Sequence, residues 1–373
     1  MSSNINQTGK VTSFRKKGAN SLNIRGTRIS AQNAQLLTST GSSTLDFFIG
    51  GGLAVGTLCL IEEDLYNSYS HVLVKYFLTE GVANNHKLFL SSGEKPSEII
   101  LKELPSIRVP EVKTEATFQN PGLKDELKIA WRYQKQQTTF ASDIQAYSYN
   151  HGYDLSKTLP EEMLKNCSIS TWDPFEKNPE DCYENEQSFI SFPYSHLLER
   201  ISSEITSNGY RTSAKSCDNI MRLAITALGS PLWNSGSEKN QELSIIRFLY
   251  LLKGLLRTSF AVAVITMPSY ILQNQVFRNR VRQVCDTVIN LESFVGSDKK
   301  SNPVFKEYNG LLQLVKLPVL NTFMYPNKTS DLAFKLKRKD FIIERWHLPP
   351  EFGEDQEEPA SFGCSGQKNK LDF

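Results

Sequence analysis

Cysteine is scarce and scattered in this chain: Cys59, Cys167, Cys182, Cys217, Cys285 and Cys364 include no CxxC pair. Neither a zinc site nor a disulfide framework is signalled, and reduced thiols are expected. The five histidines, His71, His86, His151, His196 and His347, lack ligand spacing such as HxxxH, so no metal is expected. GxSxG is absent and no cysteine carries a motif that would mark it as reactive, which leaves nucleophilic catalysis unsupported. Long apolar runs are missing too. The longest helix-like one, LSIIRFLYLLKGLLRTSFAVAVITM, is cut by Arg247, Lys253 and Arg257, short of the ~20 residues a membrane span needs. The opening MSSNINQTGK has no apolar segment to serve as a signal peptide, so a cytoplasmic and nuclear location is expected.

Charge of one sign is also lacking. Forty-two Lys and Arg against 40 Asp and Glu leave +2, so the molecule is no polycation and any nucleic-acid site must be a local patch. With 373 residues, 39% hydrophobic and 22% charged, wholesale disorder is excluded and a large core is affordable. Charge collects at the ends. Residues 1–28 hold Lys10, Arg15, Lys16, Lys17, Arg25 and Arg28 and no acid, while Glu351, Glu354, Asp355, Glu357 and Glu358 cluster near the other terminus. The expected organisation is a basic, disordered arm over 1–23, one domain over 24–347 with a polar insertion at about 105–200, and a disordered acidic tail over 348–373.

What is present is alternation of short apolar runs with helical periods. A strand over Thr57–Ile61, a helix over 71–81 closed by Gly81, and a strand from Leu88 make a βαβ unit, hence a parallel sheet. Beyond the insertion come a helix near Ser195–Thr206, a strand over 222–229 and a helix over 241–257 with Ile245, Leu249, Leu252 and Leu256 on one face. A strand over 261–267, a helix near 270–284 and strands over 286–291 and 310–317 follow, the last two forming a hairpin at the sheet edge. The fold class is α/β, a doubly wound, mainly parallel sheet with late antiparallel strands.

The stretch STGSSTLDFFIGGGLAVGTLCLI sets a turn, a Leu-Asp pair, a glycine triplet and a strand in fixed order. It resembles RecA-like ATPases of the KaiC kind, in which such a strand ends in GxxxxGK[ST], whose backbone amides wrap phosphates. Here the loop is degenerate. No Gly or Lys lies between Thr57 and Val74, and the strand exits into Glu62, Glu63 and Asp64. Counting forward from the glycine triplet puts Glu63 in the first Gly slot, and counting back from the helix puts Asp64 there. The Lys slot falls on Tyr69 or Ser70. Side chains in place of glycines prevent a tight amide cradle, and carboxylates repel a triphosphate. The strand RLAITALG ends in Thr226 and Ala227, where a Mg²⁺-holding carboxylate belongs. No cofactor is expected. The glycines by themselves read equally as a turn requiring positive φ.

Together STGSSTLDFFIGGGL, LFLSSGEKP, KIAWRY, ALGSPLW, AVAVITMPSY, CDTVINLESFVGS and YNGLLQLVKLP resemble the PAXNEB family of Elongator subunits, in order over about residues 24–347. The resemblance implies a RecA-like fold without a phosphate loop and a heterohexameric ring with the fifth and sixth Elongator proteins. It further implies tRNA binding by that ring, in support of wobble-uridine (U34) modification whose chemistry belongs to the catalytic core of Elongator. A non-catalytic subunit is therefore expected. The competing expectation is a RecA- or KaiC-like ATPase with an atypical or subunit-shared nucleotide site. Loops after the central strands would face the ring lumen, which makes Lys239, Arg278, Arg280 and Arg282 candidates for tRNA phosphates, with Lys299, Lys300 and Lys306 next. A solvated helix face accounts equally for Arg278, Arg280 and Arg282. Trp131, Trp233 and Trp346 are interface anchors or core residues.

Overall fold

A sheet covered on both faces needs strands apolar on both faces, and LCLIE, KLFLSS, MRLAIT and AVAVITM, all buried throughout, meet that need. In this computed structural model, residues 24–66, 69–108, 149–174, 190–213, 217–233, 241–297, 305–321 and 332–346 are described. An antiparallel ribbon of β1 (Thr27–Ile29), β2 (Leu36–Thr38) and β3 (Leu53–Ala54), with α1 (Ser43–Phe48) between its last two strands, comes first. Then follow β4 (Leu58–Glu62), α2 (Ser70–Ala83), β5 (Lys87–Ser92), α3 (Ser97–Lys102) and β6 (Pro105–Ile107). Next are β7 (Tyr153–Thr158), α4 (Glu161–Asn166), β8 (Ile169–Thr171), α5 (Phe192–Ser207), β9 (Met221–Thr226), α6 (Gln241–Arg257) and β10 (Ala261–Met267). The series closes with α7 (Gln275–Val284), β11 (Thr287–Ser293), β12 (Gly310–Lys316), β13 (Leu332–Leu336) and β14 (Phe341–Arg345).

Nine strands form the main sheet in the order β14-β13-β12-β11-β4-β10-β9-β5-β8. From β11 to β8 every pairing is parallel, and β12, β13 and β14 are antiparallel additions. This is the doubly wound sheet with late antiparallel strands expected above. Alternation along β4 splits the core: Leu58 and Leu60 face Phe248 of α6 and Val281 of α7, whereas Cys59 and Ile61 face Leu73 and Phe77 of α2. Each such large side chain, fully buried, stabilises by about 1.5–3 kcal/mol.

Several elements differ from expectation. Gly81 does not end α2, which runs on to Ala83. It sits inside the helix because a Cβ there would meet Leu88 Cδ2 at 2.4 Å and Arg222 Cδ at 2.9 Å. Part of the stretch read as a polar insertion is woven into the sheet, since β8 pairs with β5 through Leu88 and Ile169. The helix expected near 270–284 is broken at Asn274, whose side chain accepts the Val276 amide at 3.0 Å and so starts α7 afresh. KIAWRY lies outside the described residues.

The connections decide where a ligand could meet the sheet. From β4 the chain crosses toward β5 on one side, and from β10 it crosses toward β11 on the other. Neighbours β4 and β10, in register from Leu58 beside Ala263 to Glu62 beside Met267, thus diverge at their carboxyl ends. A crevice opens there, at the topological switch point where doubly wound folds bind ligands.

Candidate functional site at the switch-point crevice

The loop leaving β4 lies under this crevice, and its charges face inward. Glu62 is 1% exposed and is clamped from α7: Arg282 Nε reaches Oε1 at 2.5 Å and Nη2 reaches Oε2 at 2.7 Å, while Arg278 Nη2 reaches Oε2 at 2.5 Å. Burial raises the Glu62 carboxyl, but the two guanidinium groups outweigh it and hold the group below the usual carboxylate range. Glu63 has no such partner. Its carboxylate accepts from the Thr266 hydroxyl of β10, and Thr266 Oγ1 in turn accepts the Ala227 amide at 2.9 Å. Burial pushes Glu63 up to about 7. Asp64 Oδ1 accepts the Tyr69 amide at 3.1 Å, so the chain's own carboxylate sits at the entrance of α2 where a bound anion is otherwise drawn. The Tyr69 ring packs on Phe334 of β13, 4.7 Å between centroids, and Ser70 is fully buried. The slots for the phosphate-binding glycines and lysine are therefore filled by buried side chains.

Above the loop lies a cleft of about 410 Å³ between the carboxyl ends of β4, β5, β9 and β10. Three carboxylates line it, from Glu63, Asp64 and Glu94, and no Lys or Arg does. Glu94 also takes His71 Nε2 at 2.9 Å. Leu65, Tyr66, Leu232 and Tyr270 border the cleft and stand 71%, 56%, 43% and 52% exposed. One wall depends on Gly93, where a Cβ would fall 1.9 Å from Trp233 Nε1 and 2.8 Å from the Ala227 carbonyl oxygen. Ala227 itself holds φ at +50°, a strained value for a residue with a Cβ. It stands where the sequence lacked a metal-binding carboxylate. Among the described residues no group of three or more His, Cys, Asp and Glu could hold a metal ion, and no helix is long and apolar enough to cross a membrane.

The glycine triplet is a turn. Gly50, Gly51 and Gly52 have φ of +87°, +113° and +122°, and a Cβ on Gly52 would strike the Thr38 carbonyl oxygen at 2.5 Å. Asp46 of the Leu-Asp pair is buried beneath this turn. It accepts the Thr40 amide at 2.8 Å and the Thr40 hydroxyl at 2.7 Å, and burial lifts it to about 6.

A second buried cluster escaped sequence reading. Arg222, in the middle of β9, is fully buried and donates to the Thr38 hydroxyl at 2.7 Å, to the Ser39 and Phe77 carbonyls at 2.9 and 3.0 Å, and to His86 Nδ1 at 3.0 Å. Glu80, equally buried, accepts from Tyr153 and from the His151 amide. A lone arginine inside the apolar run MRLAIT was the available signal, because a charge in a two-face-buried strand must be paired.

Of the residues expected to meet nucleic acid, Arg278 and Arg282 are committed to Glu62. Arg280, on the same helix, is exposed, as is Lys306. Lys239, Lys299 and Lys300 lie outside the described residues, as does Trp131. Trp233 is core, 1% exposed and stacked on Tyr194 at 5.7 Å, whereas Trp346 is half-buried against Phe305.

Fold and crevice together define a class: a doubly wound α/β protein in which buried carboxylates occupy the place of a phosphate loop. The PAXNEB protein family profile matches residues 20–373, and the chain belongs to that family. It is 41% identical to Elongator complex protein 4 of Mus musculus, over 98% of this chain and 94% of that one. The protein of the same name from Danio rerio is 43% identical, over 93% and 90%, and that from Homo sapiens 38%, over 97% and 94%. Among solved structures, a KaiC-like protein of Pyrococcus horikoshii OT3 superposes with a TM-score of 0.46 at 12% identity, covering 83% of this chain and 98% of that one. That likeness is too loose to bear on function.

Proposed function

We propose that this chain is a non-catalytic Elongator subunit that forms a heterohexameric ring with the fifth and sixth Elongator proteins. In this reading the ring binds tRNA for the catalytic core, which modifies the wobble uridine, and it works in cytoplasm and nucleus. One observation carries the proposal: the body of a nucleotide-binding fold is intact while Glu63 and Asp64 occupy its phosphate position, in a chain closely similar to Elongator complex protein 4. A body that has lost its own site but kept broad α/β side faces is suited to assembly.

Light scattering on the chain co-expressed with those two proteins tests the ring, and a mass of six subunits is expected. A stable monomer that binds tRNA by itself would refute it. Replacing the exposed Arg280 and Lys306 with Ala in the assembled ring should flatten the salt dependence of tRNA binding by ~0.7–0.9 for each phosphate that is no longer neutralised. An unchanged slope moves the site to Lys239, Lys299 and Lys300.

A further inference from the structure

The crevice at the switch point has a composition opposite to that of a phosphate site. Three carboxylates line it and no basic side chain does. Among the described residues no Lys or Arg pairs with Glu63, whereas neighbouring Glu62 holds two arginines. A buried acid without a cation is costly to ionise, which is why burial lifts it to about 7. Around the opening, Leu65, Tyr66, Leu232 and Tyr270 expose large apolar and aromatic surfaces together. Contiguous apolar surface rimmed by charge marks an interaction site.

We propose that this cleft receives an arginine side chain, flanked by an apolar residue, from a partner protein of the assembly. The proposal rests on reading the chain as a ring subunit and names the contact that one of its faces makes. Arginine fits both halves of the surface. Its planar fork pairs with carboxylates in two-bond fashion, and the same plane stacks on rings such as Tyr66 and Tyr270. Its apolar stem and an adjoining apolar residue would cover Leu65 and Leu232, and buried arginines beside aromatic groups are typical energetic anchors of interfaces. A nucleotide is disfavoured by the same carboxylates, because its phosphates would meet like charge in a partly buried space.

Two measurements test this. In the first, the co-expressed assembly with the fifth and sixth Elongator proteins is diluted and its dissociation midpoint followed by mass photometry. The variants are Glu63→Gln, the pair Leu65→Ser with Leu232→Ser, and Tyr250→Ser, which is exposed on α6 outside the cleft. The cleft variants are expected to raise the midpoint at least about tenfold, and Tyr250→Ser to leave it unchanged. Each must retain a cooperative melt. Cleft variants that dissociate at the wild-type concentration overturn the proposal. If the wild-type chain forms no assembly, the ring reading fails, and the second measurement decides on the cleft. There N-acetyl-arginine amide is titrated into the full chain and the amide NMR signals of Gly93 and Ala227 are followed, with N-acetyl-leucine amide as control. Saturable shifts with the arginine probe that are lost in Glu63→Gln support the cleft as a guanidinium site; their absence overturns it.

Discussion

Burial lifts the Glu63 carboxyl to about 7 and Asp46 to about 6, so both hold their protons to higher pH in the folded chain than in the unfolded one. Such groups withdraw stability as pH climbs from the unfolded value toward the folded one. His151 acts in the same direction: hydrogen bonding to Glu80 raises it above 6.5, so its contribution is complete below that pH and disappears as pH passes the raised value. Glu62 and Glu80 are held low, and their contribution is lost only as pH falls below the ordinary carboxylate range. Stability should therefore peak near pH 5 and decline toward pH 8. Glu63 alone contributes on the order of 3 kcal/mol to that decline. Glu63→Gln should raise the melting temperature at pH 8 and leave it nearly unchanged at pH 5. A wild-type melting temperature that rises between pH 5 and pH 8 would contradict this reading.

Helix α7 and strand β4 are joined by the Glu62 clamp, so α7 is a structural part of the sheet's switch point. Removing both Arg278 and Arg282 strands a carboxylate that is 1% exposed, and Arg278→Ala with Arg282→Ala should cost about 3–5 kcal/mol by urea titration. Arg278→Ala alone should cost less, because Arg282 keeps two bonds to Glu62. A double variant as stable as the wild type would show the clamp to be idle. Loss of tRNA binding in such variants would report a damaged subunit, which makes exposed Arg280 the cleaner probe. At this scale the βαβ order, the central parallel strands and the hairpin of β11 and β12 were legible in the sequence, because continuous apolar runs identify two-face-buried strands. Strands β13 and β14 were not read, although Leu332, Phe334, Phe341 and Ile343 alternate inward on either side of KRKD. Three-residue β8 was too short to carry a period, and its pairing with β5 is settled by position in space. The acidic loop after β4 was legible as chemistry. Its inward direction was not, since the arginines that hold Glu62 come from more than 200 positions away.

For the whole molecule, the carboxylate-lined crevice predicts that the isolated chain binds ATP negligibly. Calorimetry at millimolar ATP with Mg²⁺ should give no heat beyond dilution; micromolar binding that vanishes in Ser70→Ala or His71→Ala would restore the ATPase reading. The chain's first described residues have a different consequence, one of timing. Terminal segments ordinarily fray before the rest of a domain. Here Thr38 and Ser39, together with Phe77 and His86, supply the acceptors of the Arg222 guanidinium, which has no access to water. If β2 peels away, a cation is left in the core without its acceptors, at a free-energy cost approaching that of unfolding the domain. The ribbon is thereby locked to the global transition, and its backbone amides exchange with solvent on the same slow clock as those of β9.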